Sequence, residues 1–197
     1  LCNRRVYLRA THLRDDRAMR RHIIVLGMPG AGKDTQCDML AKALGAVIVK
    51  TGDIARELAK TNTDIARVLQ KGGLVDDDII NTKLAEKLQE IPAESDILFD
   101  GFPRRVEQAQ WLDSQLGENE AQNLHVYYLK ISQDSALKRL LQRGRGDDTE
   151  SIIRNRLHVF ADQTEPVLEY YRSSNRLVEI DGEPSPDIIQ SELQRKI

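Results

Sequence analysis

The stretch Gly27-Met28-Pro29-Gly30-Ala31-Gly32-Lys33 constrains this chain more than any other. It satisfies the spacing G-x-x-x-x-G-K, and its surroundings matter as much as its glycines. Before it, HIIVLG (22–27) is a dense run of branched apolar residues that reads as a buried strand. After it, residues 33–44 carry Cys37, Met39, Leu40, Ala43 and Leu44 at helical spacing, and Gly45 stops the helix. Glycines at 27, 30 and 32 let successive backbone N–H groups point inward where side chains would block approach. The helix adds its positive N-terminal end, and Lys33 adds a full charge. A strand, loop and helix of this kind make a phosphate cradle. The loop is therefore a candidate for holding a nucleotide, with Lys33 bridging its β- and γ-phosphates.

One residue departs from the usual pattern. Ser or Thr ordinarily follows the lysine and holds Mg²⁺, whereas this chain has Asp34 and then Thr35. A carboxylate can join a magnesium shell, because Mg²⁺ takes oxygen ligands. It can equally point to solvent and weaken phosphate binding by repulsion. Both readings stand at this point.

The rest of the chain alternates short apolar runs with longer amphipathic stretches. Strands are expected at 46–50, at 95–99 with Asp100, at 124–131 and at 176–181. Helices are expected at 53–60, 63–71, 76–90, about 105–116, 133–142, about 149–173 with a kink at Pro166, and 186–196. Strands separated by helices of this length mean β-α-β units, hence a parallel sheet covered on both faces. Ligands of such sheets bind at the carboxyl ends of the strands. The expected fold is thus α/β, a P-loop NTPase-type five-stranded parallel sheet over 22–197.

Residues 1–21 stand apart, with seven arginines and no apolar periodicity. The chain opens on Leu1, and its first methionine is Met19. The plain expectation is a start at Met19, the alternative an Arg-rich targeting peptide, which Asp15 and Asp16 disfavour. This N-terminal extension is expected to lie outside the fold.

Composition excludes several classes. No apolar stretch approaches the roughly 18–20 residues that span a bilayer. The formal charge is −2, and an extended basic face for nucleic acid is not expected. Two cysteines, Cys2 and Cys37, cannot build a disulfide framework or a cysteine zinc site. They fit a reducing, cytoplasmic compartment. No N-K-x-D motif occurs, which disfavours a GTPase.

Three further motifs accompany the loop. Thr51-Gly52-Asp53-Ile54-Ala55-Arg56 follows the second strand, and Asp100-Gly101-Phe102-Pro103-Arg104 follows the third, with Gln108 four residues on. Arg139-x3-Arg143-x-Arg145-x-Asp147-Asp148, with Arg156 downstream, surrounds the last loop. In this order, together with GMPGAGKDTQ, they resemble the adenylate kinases of the nucleoside monophosphate kinase family over essentially all of 22–197. The resemblance implies the reaction MgATP + AMP ⇌ 2 ADP, a monophosphate-binding flap at 51–80 and a very short lid at 143–148. It implies Gly30 to Thr35 and Arg143 for ATP. It implies Thr51, Arg56, Gly73, Leu74, Val75, Gly101, Phe102, Pro103, Arg104 and Gln108 for AMP, with Arg145 and Arg156 closing over the transferring group. Lys33, Arg104, Arg143, Arg145 and Arg156 would be catalytic, and Asp100 would order magnesium-bound water. Forked arginine donors suit the charge spread over peripheral phosphate oxygens. The partners implied are ATP and AMP, with no nucleic acid, no membrane and a monomeric state.

The acceptor base rests on Thr51 and Gln108. An amide donates and accepts at once, which suits an adenine edge. The plain alternative places Gln108 on a helix surface. A uridylate or cytidylate kinase would share the flap pattern but carries Ala-Gly for Thr-Gly and asparagine near position 108. A nucleotide-binding module without turnover is the third reading, motivated by Asp34 and the lid. Only Gly144 separates Arg143 from Arg145. So short a lid leaves water poorly excluded, so ATP hydrolysis without AMP is expected. It also leaves no place for lid cysteines, so zinc is not expected.

Overall fold

The computed structural model describes residues 20–121, 123–144 and 149–197. Five strands form one sheet, β1 (His22–Leu26), β2 (Val47–Lys50), β3 (Ile97–Asp100), β4 (Leu124–Lys130) and β5 (Leu177–Asp181). Their order is β2-β3-β1-β4-β5, and all four pairings are parallel. The helices are α1 (Lys33–Leu44), α2 (Thr51–Thr61), α3 (Thr63–Gln70), α4 (Asp77–Gln89), α5 (Val106–Ala121), α6 (Gln133–Arg143), α7 (Glu150–Val159), α8 (Glu165–Ser173) and α9 (Pro186–Lys196). This is the α/β architecture the alternation predicts.

The centre of the sheet explains the apolar run that opens the fold. Ile23, Ile24 and Val25 are fully buried, because β1 lies between β3 and β4 with helices on both faces. From β1 the chain returns on the β3 side, whereas from β3 it crosses to β4. Neighbouring strands whose connections part in opposite directions leave a crevice at their carboxyl ends. Register then sets what meets there. Val25 and Lys50 both pair with Asp100, so the ends of β1, β2 and β3 form one row.

Several boundaries differ from the sequence reading. Helix α2 begins at Thr51, two residues earlier than expected, so β2 runs into it without a loop. The Thr51 hydroxyl explains this: it donates to the Gly101 carbonyl at 2.9 Å and is not used as a cap. The irregularity near Pro166 is a π turn at Phe160–Thr164 directly before α8, and it includes Asp162, whose carbonyl an N–H at position 166 would otherwise meet. Helix α5 breaks at Gly117 (φ 68°, ψ 173°), one residue past its expected end, and resumes to Ala121.

The end of the extension belongs to the fold. Arg21 donates its N–H to Asp96 Oδ1 (2.7 Å) and its guanidinium to Oδ2, while its carbonyl accepts from Ile97 N (2.9 Å). Arg20 pairs with Glu120 at 3.2 Å. Residues 1–19 lie outside the described residues, as do 145–148 of the expected lid.

Candidate active site

The loop between β1 and α1 is built as its sequence requires. The Ala31 N–H closes it onto the Met28 carbonyl at 3.0 Å. Gly30 and Gly32 have φ of 87° and 88°, a left-handed conformation that side chains resist. A Cβ on Gly30 would stand 2.8 Å from the Ala136 carbonyl of α6, whereas one on Gly32 would meet nothing within 4 Å. Gly32 caps α1 without a side-chain acceptor, and the place a side chain would take there is open space beside the positive end of the helix. That is the fit an anion needs.

Lys33 folds back into the loop, where its ammonium donates to the carbonyls of Gly27 (2.7 Å) and Met28 (3.2 Å). Desolvation by the surrounding loop holds its pKa below the ordinary lysine value, Arg104 lowers it further, and Asp100 and Asp34 oppose both. Asp100 is 7% exposed at the end of β3. Burial first, then the neighbouring Asp34 carboxylate, raise its pKa, against Lys33, Lys50 and Arg104. Asp34 itself is exposed on the first turn of α1. It is open to solvent and within electrostatic reach of Asp100. Below these groups, burial pushes the Cys37 thiol well above its usual range.

Among the described residues, no three His, Cys, Asp or Glu side chains converge as a metal cage. Asp100 and Asp34 instead suit a magnesium ion that keeps phosphate and water among its ligands.

The segment after β3 carries the next group. Gly101 has φ 77°, Phe102 is buried, and the Phe102–Pro103 bond is cis. This turn brings Arg104 back so that its Nε donates to the Gly101 carbonyl at 2.8 Å. The residue keeps contact with solvent, yet desolvation lowers its pKa, Asp100 and Asp34 raise it, and Arg156 and Arg56 lower it further. Arginines from α2 and α7 thus lie within electrostatic reach of one from the β3 loop. Arg56 is exposed and pairs with Asp53. Arg143 closes α6 and is exposed, and Arg156 lies in the last turn of α7, partly buried. Arg145 lies outside the described residues.

The segment 51–80, expected as a flap, also reaches α7. Its Gly72 backbone packs against α7, where an added Cβ would stand 2.9 Å from Arg156 Cγ. The Asn155 amide donates to the Lys71 carbonyl at 2.5 Å. Gly73, Leu74 and Val75 follow directly and lead into α4. Gln108 is not on a helix surface: it is 3% exposed. Its Oε1 accepts from Arg104 N (2.8 Å) and its Nε2 donates to Asp77 Oδ1 (2.7 Å). Arg105 joins this group, with its Nη1 2.6 Å from Asp77 Oδ1.

Asp77 and Arg105 are what the sequence reading missed. The only local signal was a second arginine after DGFPR, and nothing distinguishes Asp77 within the run Asp76-Asp77-Asp78. Arg139, quoted in the arginine motif, instead holds the turn after β5, donating to the carbonyls of Gly182 (2.9 Å) and Glu183 (3.0 Å). A concavity of about 590 Å³ lies at the opposite end of the strands beside Arg21, Glu94 and Asp96, away from all these groups.

A phosphate loop, a buried carboxylate and converging arginines occur on many phosphotransfer folds, so comparison with known proteins decides the family. The adenylate kinase family model matches residues 25–176. Adenylate kinase 1 of Nostoc sp. is 38% identical over 176 residues, covering 87% of this chain and 96% of that protein. The chain belongs to the adenylate kinase family. Adenylate kinase 1 of Synechocystis sp. is 37% identical over 91% of this chain and 98% of its own length. The Thermus thermophilus adenylate kinase is 36% identical over 87% and 94%. The expected family is therefore the observed one, and a uridylate or cytidylate kinase is not favoured. No helix among the described residues is long and apolar enough to cross a membrane.

Proposed function

We propose that this chain catalyses the reversible transfer of the terminal phosphoryl group of ATP to AMP, giving two ADP. The observation that carries this reading is the meeting of Lys33, Arg104 and Asp100 at the carboxyl ends of β1 and β3, in a member of the adenylate kinase family. An oxygen of the AMP phosphate attacks the γ-phosphorus of ATP. The new P–O bond forms as the bond to the β-phosphate bridging oxygen breaks, and that oxygen leaves as part of ADP. The attacking oxygen is already ionised, so no general base is required. Positioning and positive charge carry the catalysis.

In this reading Gly30 to Thr35 cradle the ATP phosphates, and Lys33 exchanges its two loop carbonyls for β- and γ-oxygens. Arg143 adds to the ATP side. Arg56 and Arg104 hold the AMP phosphate, with Thr51 and the Gly101 turn fixing the wall between them. Gly73, Leu74, Val75 and Gln108 frame the base. Arg145 and Arg156 close on the transferring group. Magnesium, when bound with ATP, neutralises phosphate charge, and Asp100 would hold it through water with Asp34 beside it. We further infer a cytoplasmic, monomeric enzyme that binds neither nucleic acid nor membrane. A net charge of −2 and a lone buried Cys37 among the described residues support those inferences.

The test is product formation from MgATP with AMP, CMP, UMP and GMP in parallel. Rapid ADP formation with AMP alone is expected. Preference for CMP or UMP overturns the acceptor, and MgATP binding without transfer to any acceptor overturns the enzyme.

A further inference from the structure

The half-buried group around Asp77 goes beyond what the reaction requires. Asp77 Oδ1 accepts two charge-assisted or amide donors at once, Arg105 Nη1 at 2.6 Å and Gln108 Nε2 at 2.7 Å. Arg105 is itself fixed from other sides. Its Nε donates to Gln163 Oε1 in the π turn at 2.9 Å, and Nη1 also lies 3.3 Å from the Val75 carbonyl. One guanidinium therefore ties the flap backbone, the start of α4 and the π turn, and reaches Gln108 through a carboxylate.

The polarity of the Gln108 amide follows from partners that have no choice. Arg104 N–H can only donate, so the atom 2.8 Å away is the oxygen. A carboxylate can only accept, so the atom facing Asp77 is the NH₂. Turning the amide over would set N–H against N–H and oxygen against carboxylate, leaving two buried pairs opposed. What remains free on the amide is one N–H and one oxygen lone pair, in fixed order. A 6-aminopurine matches them, since its N1 accepts and its N6 amino group donates. A 6-oxopurine presents N1–H and O6, the reverse pattern, and can be matched only by a turned amide.

We propose that Arg105 and Asp77 are positioning residues that lock the Gln108 amide one way round, so that the acceptor site takes 6-aminopurine and rejects 6-oxopurine monophosphates. This rests on the reading above that Gln108 meets the acceptor base. Arg105 matters because asparagine in place of Asp77 would still be held oxygen-inward by the guanidinium. With both charges gone an amide at 77 serves either orientation of Gln108, and only the Arg104 N–H still opposes the turn.

The experiment measures kcat/KM for AMP and for IMP, which differ only at the N1–C6 edge, with MgATP as donor. The variants are Gln108→Ala, Asp77→Asn, Arg105→Met and the double variant Asp77→Asn/Arg105→Met. The double variant should lower the AMP-to-IMP ratio at least about ten-fold, the scale of one paired-hydrogen-bond discrimination, with kcat for AMP within a few-fold. Each single variant should lower it less than the double. A general loosening of the fold would depress AMP and IMP together and leave the ratio unmoved. A ratio unchanged in the double variant, while Gln108→Ala lowers it, overturns the lock and leaves the base reading intact. An unchanged ratio in Gln108→Ala overturns both. Should the double variant not fold, Asp77→Ala, which removes the carboxylate that fixes the amide and leaves only donors from Arg105 beside it, stands in for it, and an unchanged ratio there overturns the lock.

Discussion

Two glycines two residues apart in the phosphate loop should fail in opposite ways when replaced by alanine. Both hold left-handed backbone, with φ of 87° at Gly30 and 88° at Gly32. Alanine in that conformation costs about 1–2 kcal/mol at either site. At Gly32 that is the whole cost to stability, since its new Cβ meets nothing within 4 Å. At Gly30 the Cβ would stand 2.8 Å from the Ala136 carbonyl and 3.1 Å from Leu140 Cγ. Overpacking against backbone adds about 1–3 kcal/mol, for roughly 2–5 kcal/mol in all. In a chain of this size about 1 kcal/mol moves Tm by roughly 2–4 °C. Gly30→Ala should thus lower Tm at least about one and a half times as far as Gly32→Ala. Saturating MgATP reverses the order. A ligand at 100 times its Kd stabilises the folded chain by about 2.7 kcal/mol, a rise of roughly 5–10 °C. Gly32→Ala should lose most of that rise, because the space its methyl takes is the open space at the N-terminal end of α1. The assay is thermal denaturation of wild type and both variants, with and without MgATP. A full MgATP-induced rise in Gly32→Ala would refute the assignment of that space to phosphate. A Tm for Gly30→Ala no lower than for Gly32→Ala would refute the packing of the loop on α6.

Lys33→Ala should cut kcat/KM by at least about 10²-fold while leaving Tm nearly unchanged, since the ammonium's partners in the free protein are two carbonyls. Steady-state kinetics beside a melting curve separates the two effects, and wild-type turnover would remove Lys33 from the mechanism. With MgATP and no AMP, phosphate release above background is expected from so short a lid, and a rate equal to background would contradict it. Stability should fall in acid through His22, which is 0% exposed, with Nε2 2.8 Å from Glu120 and Nδ1 without a partner. Burial lowers its pKa from 6.5 more than Glu120 and Asp96 raise it, and Arg20 lowers it further. The unfolded chain therefore takes up this proton first, and stability drops as pH falls below about 6.5, by at most about 1.4 kcal/mol per pH unit, until the lowered folded pKa is reached. Denaturant titrations at pH 7.5 and 5.5 should show a larger loss in wild type than in His22→Leu, and equal losses would exclude His22 as the source.

The sequence by itself determined the sheet, the phosphate loop and the order of the motifs, because each is written in neighbouring residues. The branched run at 23–25 needs a strand buried on both faces, and glycines at 30 and 32 need the backbone they adopt. Tertiary structure decided everything that joins distant residues. Helix α2 starts at Thr51 because its hydroxyl finds Gly101, which the pairing of Lys50 with Asp100 places alongside. Which of Asp76, Asp77 and Asp78 turns inward depends on Arg105, 28 residues beyond Asp77. The polarity of Gln108 depends on that same carboxylate, 31 residues before it. Periodicity assigns a residue to a face but cannot name its partner across the fold. A hydrogen bond depends on angle and on tenths of an ångström, and those are fixed only when sheet register and helix packing are complete.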